Sequence, residues 1–366
     1  MKTNRLFFIL AAILFISVAC GPDIDIPDQD DDTGNGVQPG DINELSDVPY
    51  PTAGGPKVPT LLTTGYFSEQ VIAEGITLYS LEKTEDVTNK PQSVRVLEVD
   101  LDNPNYKIVF KSLAPGRSIT SAQGKASSKT IACVNAAYEQ DAIYNKTNGA
   151  VFQPDNGRVE PGHLRFWKHE AALVGDGKRK VGIIYGAKGF PTTAQGIKAG
   201  GIQAYEIYEK LTEPNIFASA PMLIDNYLPV GTTFVPSAYD GSNFSGLDGE
   251  DYRRHQGVRH PRTAVALTAD NDLLLITVDG RYDEDQTQKS GRYTSPAKAV
   301  GMSARELTNF IAKHFNPQWA INMDGGGSTS LYIKGKGIVN HVCNDGSTWT
   351  TPVERQLSTF LLVQTN

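Results

Sequence analysis

Hydrophobic positions along the chain fall mostly in short runs broken by Gly, Pro, Asn and Asp. Residues 92–101 alternate apolar and polar, with Val94, Val96, Glu98 and Asp100 two apart, which predicts a half-buried strand. The turn Asp102-Asn103-Pro104-Asn105 follows, and residues 106–112 read as the returning strand of a hairpin. Residues 71–81 alternate weakly about a turn at Gly75. The run Thr130-Ile131-Ala132-Cys133-Val134 reads as a buried strand ending in Asn135. Further strands are predicted at 149–152, 164–167, 181–185, within 218–226, at 263–268, 272–278 and 358–363.

Helical spacing is rarer. Residues 303–315 carry it best: Ser303 is placed as N-cap with Glu306 three residues on, and Leu307, Phe310, Ile311 and Phe315 share a face. Shorter helices are predicted within 118–129 and 202–210. Regular strand–helix alternation is missing, so the expected fold is α+β, with strand-rich mixed or antiparallel sheets and a few packed helices. Residues 282–301 form a polar stretch, read as a long loop.

One segment breaks the pattern. The apolar Trp319-Ala320-Ile321 leads through Asn322 and Met323 to Asp324, then to Gly325-Gly326-Gly327-Ser328-Thr329-Ser330 and Leu331-Tyr332-Ile333. It reads as strand, tight turn, strand. Three successive glycines suit a backbone of positive φ or one approached closely by a ligand. The alternatives are a plain hairpin and a turn that binds an anion or a sugar.

Composition narrows the function. The chain has 366 residues, 39% hydrophobic, and a formal net charge of −7, which argues against nucleic-acid binding. Lys2 and Arg5 precede a short apolar run at 6–18, and small residues stand before Cys20. This pattern predicts a lipoprotein signal over 1–20, with Cys20 lipidated and the protein held on a membrane of a bacterial cell envelope, facing the periplasm or the exterior. Residues 21–64, with Asp28, Asp30, Asp31 and Asp32, read as an acidic solvated tether. The folded domain is expected over 65–366. Cys133 and Cys343 are expected as free buried thiols, although a bridge between them is compatible with the sequence.

Against this acidic background residues 253–262 stand out, with Arg253, Arg254, Arg259 and Arg262 beside His255 and His260. Guanidinium forks suit phosphate and carboxylate, and the bland alternative is a structural charge patch. Arg262 sits at the mouth of a predicted strand, and Asp279-Gly280-Arg281 ends the next. Trp167, flanked by Arg165 and Lys168, suits a sugar face or the core. If the strand ends at Asn135, Arg262, Asp279–Arg281 and Asn322–Asp324 converge, they enclose two carboxylates, an arginine-lined anion site and backbone N–H donors.

Four segments and a closing pair resemble the phosphodiester glycosidase family. They are Ile131–Tyr138, His260–Arg281, Gly301–Leu307 and Asn322–Leu331, with Glu354-Arg355 near the end. Departures are Ala136-Ala137-Tyr138, where the family usually has glycine and an aromatic, and Ala264-Val265-Ala266, where a glycine is common. The resemblance implies a hydrolase that breaks the C1–O bond of a sugar-1-phosphodiester of the GlcNAc-1-phospho-sugar type and leaves a phosphomonoester. It implies Asp324, Asp279 and Arg262 as catalytic residues. Asn135, Arg281, Asn322, Gly325, Gly326, Gly327, Ser328 and Thr329 would bind substrate. A phosphorylated glycan is the implied partner, and no cofactor is required, with a divalent cation left open. Two other classes stay open: a metal-dependent phosphodiesterase using Asp279 and Asp324 as oxygen ligands, and a surface glycan-binding lipoprotein without turnover.

Overall fold

The computed structural model describes residues 64–114, 117–124, 127–138, 143–152, 166–231, 247, 251–281, 299–344 and 352–366. All belong to one compact unit, Gln38–Asn366. The predicted signal, Cys20, the acidic tether and nearly all of the 282–301 loop lie outside the described residues. Among the described residues no helix is long and apolar enough to cross a membrane.

Three antiparallel sheets carry the fold. The largest has eight strands, in the order β1 (Ser68–Ala73), β2 (Ile76–Glu85), β3 (Lys90–Asp100), β14 (Asp272–Val278), β13 (Arg262–Leu267), β15 (Trp319–Asn322), β11 (Met222–Asp225) and β12 (Leu228–Pro229). A second orders β17 (Gly337–Ile338), β16 (Leu331–Ile333), β5 (Thr130–Asn135), β18 (Thr359–Thr365) and β4 (Tyr106–Ser112). The third orders β7 (Ala150–Val151), β6 (Asn145–Thr147), β10 (Asn215–Ser219), β8 (Ala171–Gly175) and β9 (Val181–Ile184). Among the described residues four α-helices complete the set: α1 (Ser121–Gly124), α2 (Ala194–Lys210), α3 (Tyr252–Gly257) and α4 (Ala304–His314). The α+β, strand-rich class is as expected.

Burial on both faces explains why the central strands read as apolar runs. Alternate residues Val265, Leu267, Leu273 and Leu275 point into a core shared with Phe110, Val134, Leu173 and Leu361 of the other two sheets. Their neighbours Ala264, Ala266, Leu274 and Ile276 face the opposite way and pack under Leu307, Phe310, Ile311 and Phe315 of the α4 segment. That helix begins as predicted. The Ser303 hydroxyl accepts the Glu306 N–H at 3.2 Å, and the Glu306 carboxylate accepts the Ser303 N–H at 3.0 Å. The Glu306 carboxylate also holds Arg259, so one side chain caps the helix and anchors the basic stretch. Cys133 and Cys343 are free and buried.

Two predicted hairpins are wrong in the same way. β3 pairs with β2 and β14, while β4 pairs with β18, so the turn at 102–105 passes between sheets. β15 pairs with β13 and β11, while β16 pairs with β5 and β17. The glycine segment is therefore a crossover between the largest sheet and the second, not a hairpin turn. Each apolar run was read correctly as a strand; its partner is set by distant sequence that alternation does not encode. Around Trp167 a 3₁₀ turn, Phe166–His169, replaces the predicted strand. The second helix starts eight residues earlier than predicted, at Ala194, capped by Thr193. Gly196, Gly200 and Gly201 obscured its spacing, and they let it pack closely: a Cβ at Gly201 would lie 2.3 Å from the Phe166 carbonyl oxygen.

Next to that 3₁₀ turn Glu170 is buried, its carboxylate accepting the Met222 N–H at 3.3 Å. Burial raises its pKa from 4.5 to about 8, with the Tyr185 hydroxyl and the Met222 N–H pulling the other way. The folded pKa exceeds the unfolded one, so this contribution to stability is complete below the unfolded value. It is lost as pH rises through about 8. Glu170→Gln is expected to remove this loss, leaving the variant roughly 3–5 kcal/mol better off on the alkaline side, relative to the acid side, than wild type. Denaturant unfolding at about pH 4, 7 and 9 checks this; parallel pH profiles for the two proteins would refute it.

Candidate active site

The sheets meet where Asn135 ends β5. Its Nδ2 donates to the Asp324 carbonyl at 2.6 Å. Its Oδ1 accepts from the Thr263 hydroxyl at 2.8 Å and from the Ser330 N–H at 3.1 Å. The crossover is further held by Met323 N–H to the Thr263 carbonyl at 2.8 Å, Asp324 N–H to the Ala136 carbonyl at 2.9 Å and Gly326 N–H to the Pro261 carbonyl at 2.8 Å. Asp324 is thereby fixed at the junction. It faces a cavity of about 260 Å³ lined also by Tyr138, Lys168, His255, His260, Arg262, Arg281, Gly325, Gly326, Ser328 and Arg355.

Charge dominates this cavity. Among its described lining residues four cations, Lys168, Arg262, Arg281 and Arg355, face one carboxylate, Asp324. Burial raises the Asp324 pKa above 3.8, opposed by the Ser328 side chain, the charges of Lys168 and Arg355, and the Gly325 N–H. Burial also drives the His255 imidazole well below 6.5, helped by Lys168, Arg262, His260 and Arg254, so His255 is neutral at pH 7. Its ring packs against Trp167 and Tyr138, with centroids 4.9 and 5.5 Å away.

Backbone carbonyls and neutral side chains help to hold the arginines. Arg262 donates Nε to the Met302 carbonyl at 2.8 Å and Nη2 to the carbonyls of His255 and Val258 at 3.0 and 2.9 Å. Arg281 donates to the Cys343 carbonyl at 2.8 Å from a left-handed backbone of φ 67°. That conformation is costly for a non-glycine residue. Arg355 donates Nε to the Asn344 side chain at 2.8 Å and Nη1 to the Ser328 hydroxyl at 3.2 Å.

The triple glycine meets one of the two expected needs, a positive φ at Gly326 of 61°, and also leaves room for neighbouring groups. A Cβ at Gly325 would lie 2.7 Å from the Pro261 carbonyl oxygen. At Gly326 it would meet Arg281 Nη2 at 2.9 Å, and at Gly327 Arg355 Nη2 at 2.7 Å. The bare backbone makes room for two arginines. Four of the turn's N–H groups are taken within the protein. Gly325 N–H binds the Asp324 carboxylate, Gly326 N–H binds Pro261, and Ser328 and Thr329 N–H bind the carbonyls of Gly325 and Gly326.

Of the residues singled out in the sequence, Asp324, Arg262, Arg281, Gly325, Gly326 and Ser328 line the cavity. Asn135, Asn322, Gly327, Thr329 and Asp279 are not among its described lining residues. Asp279 is spent on structure: its carboxylate accepts the Ser93 hydroxyl at 2.5 Å, Asn340 Nδ2 at 3.1 Å and the His341 N–H at 2.9 Å. It is not set with Asp324 across one cavity, as a glycosidase carboxylate pair is or as two ligands of one ion would be. Among the described residues the grouping that offers three metal-type donors is Glu85, Asp86 and His314, at the opposite end of α4 from Met302. Asn322 donates to Tyr138 Oη at 3.0 Å and to the Ala220 carbonyl at 2.8 Å, and so positions Tyr138.

The sequence reading did not assign Tyr138, Lys168, His255, His260 or Arg355 to the site. The signals were present: Tyr138 closed a motif, the histidines sat in the basic stretch, and Arg355 stood in the closing pair. Lys168 gave the weakest signal, because only the fold brings the 3₁₀ turn to the strand ends. Gly327→Ala is expected to displace the far end of Arg355, a flexible group, at a stability cost of about 1 kcal/mol or less. It should lower kcat/KM by roughly tenfold or more. Paired melting and kinetic measurements check this; a fully active variant would mean that the Arg355 guanidinium is not used.

No curated protein gives a significant match to the chain. Among solved structures it resembles the catalytic domain of zebrafish N-acetylglucosamine-1-phosphodiester alpha-N-acetylglucosaminidase auto-inhibited by its pro-peptide, with TM-score 0.50, 16% identity and 86% of each chain covered. A hypothetical protein from Synechocystis aligns with TM-score 0.47 and 13% identity over 82% of this chain and 64% of that one. The sequence model of the phosphodiester glycosidase family matches residues 128–364, most of the chain and every described residue that lines the cavity. On that match the chain belongs to the phosphodiester glycosidase family and is a glycosidase-type enzyme.

Proposed function

We propose that this enzyme hydrolyses the C1–O bond of a sugar-1-phosphodiester of the GlcNAc-1-phospho-sugar type, releasing the sugar and leaving a phosphomonoester. The observation that carries this reading is that, among the described lining residues, one carboxylate, Asp324, is set among four cations. The name of the zebrafish protein, N-acetylglucosamine-1-phosphodiester alpha-N-acetylglucosaminidase, supports it.

The chemistry asks little of a general acid. As the C1–O bond breaks, its electron pair stays on the phosphate oxygen, and the leaving group departs as a stable phosphomonoester anion. Arg281 and Arg355 neutralise that charge as it develops, in a site where the fixed guanidinium groups need not reorganise. Asp324 serves the anomeric carbon, either by attacking C1 or by taking the proton of the attacking water. The anomer first released tells these routes apart. A second carboxylate is not needed, and Asp279 is not among the described lining residues. His255, neutral, and Tyr138 offer hydrogen-bonding groups to the sugar.

Asp324→Asn is expected to lower kcat by on the order of 10³-fold or more while the protein stays folded. Hydrolysis in ¹⁸O-labelled water should place the label in the sugar. Undiminished turnover, or label in the phosphate, would sink the assignment. Asp324 must be ionised to act, so the acid limb of the kcat/KM profile should lie above 3.8.

The same reading puts the enzyme on a membrane surface. Cys20, after the apolar run at 6–18, supplies the thiol for a lipid anchor. The full-length protein should fractionate with membranes, and Cys20→Ala should not; equal partition of both would refute anchoring through Cys20.

A further inference from the structure

We propose that Asp279 is a positioning residue for the departing phosphate: its carboxylate fixes the segment 340–344, which in turn aims both Arg281 and Arg355. This rests on the glycosidase reading above. It gives the second carboxylate a part in the reaction without contact with the substrate.

Three pieces of chain meet at Asp279. It stands one residue past the end of β14, and its N–H donates to the Ser93 carbonyl of β3 at 2.9 Å. Oδ2 accepts the Ser93 hydroxyl, and Oδ1 accepts both Asn340 Nδ2 and the His341 N–H. All three partners donate, which suits an ionised carboxylate better than an amide. Burial raises the Asp279 pKa, opposed by the Ser93 hydroxyl, the charges of Arg95 and His341, and Asn340. Arg95 extends the clasp. It donates to Ser93 Oγ at 3.4 Å and to the Val339 carbonyl at 3.1 Å. The chain is thereby held on both sides of Asn340.

From there a short path leads to the arginines. Asn340 Nδ2 also donates to the Thr329 carbonyl at 3.2 Å, and its Oδ1 accepts the Leu331 N–H at 2.8 Å. These bonds dock the segment on the end of the glycine turn. Two residues after His341, the Cys343 carbonyl takes Arg281 Nη1 at 2.8 Å. One residue further, the Asn344 side chain takes Arg355 Nε at 2.8 Å. Val342 and Cys343 are buried, so this stretch is packed against the body of the domain. The Cys343 thiol feels both guanidinium groups, whose charges pull its pKa down against its burial. Arg281 follows Asp279 by two residues. The carboxylate thus clamps the strand end that carries Arg281 to the segment that receives it. A shift of 340–344 would move an acceptor of each guanidinium at once.

The two carboxylates then divide the work. Asp324 acts at C1, and Asp279 acts on the phosphate through the arginines that line the cavity. Its loss should weaken phosphate recognition and leave the ionisation of Asp324 alone.

Asp279→Asn tests this, because the amide keeps the shape but replaces one acceptor by a donor. The substrate is the methyl phosphodiester of α-GlcNAc-1-phosphate, and methyl phosphate is the inhibitor. The inhibition constant should rise, and kcat/KM should fall, by about tenfold or more. The acid limb of the kcat/KM profile should stay where wild type has it. An unchanged inhibition constant overturns the positioning role, whether kcat survives, as for a residue of structure alone, or collapses, as for one acting at C1. A displaced acid limb overturns it too. If Asp279→Asn does not fold, Asn344→Ala decides: it leaves the buried clasp intact and should raise the same inhibition constant severalfold. An unchanged value overturns the path through 340–344. In a folded double variant the two losses should fall short of their product, and a full product would make the residues independent and overturn the path. Wild type that neither cleaves the diester nor binds methyl phosphate overturns the glycosidase reading as well.

Discussion

The whole site depends on the amide of one buried asparagine. Asn135 ends a strand of the second sheet, accepts from Thr263 of the largest sheet, and donates to the backbone of Asp324 in the chain that crosses between them. A buried amide left unpaired would cost about 1–3 kcal/mol, so these bonds fix the relative placement of both sheets. Asp324 inherits its position from that constraint. Tyr138, three residues beyond Asn135, is held in the same way by Asn322, which precedes Asp324 by two. Neither of these two polar residues, which interrupt apolar strands, is on the described lining, and each secures a residue that faces the cavity.

A second principle follows from how the cations are held. Carbonyl oxygens carry partial charges, so they orient an arginine without cancelling it. Arg262 rests on Met302, His255 and Val258, and Arg281 on Cys343. Two other arginines of the basic stretch bind carboxylates: Arg259 binds Glu306, and Arg253 binds Asp251. The basic stretch at 253–262 is therefore divided between scaffold and site, a division that composition alone does not reveal.

Legibility in the sequence followed the range of the interaction. The capping box of α4 was readable because its partners are three residues apart. The strands at 262–267 and 272–278 were readable because their pairing is a local turn. Strand partners were misread at 102–105 and 323–330, where neighbouring strands join different sheets. Asp324 was legible because three glycines follow a carboxylate at a strand end. Asp279 looked equivalent, at the end of a strand and before a glycine and an arginine. What separates them is Ser93, Asn340 and His341, which are far away in sequence and consume the Asp279 carboxylate. Lys168 was noted only as a flank of Trp167, because its role arises from a 3₁₀ turn brought to the strand ends by tertiary packing.

The missing side chains of the glycine turn are spaces already occupied. Gly326 gives its volume to Arg281, and Gly327 gives its volume to Arg355. Position 326 is thus tied to 281 and position 327 to 355, although each pair is separated by dozens of residues in the chain. Among relatives that share this arrangement, a larger residue in the turn should appear together with a shorter one at the matching arginine. The unit under selection is therefore the filled space, not either residue alone.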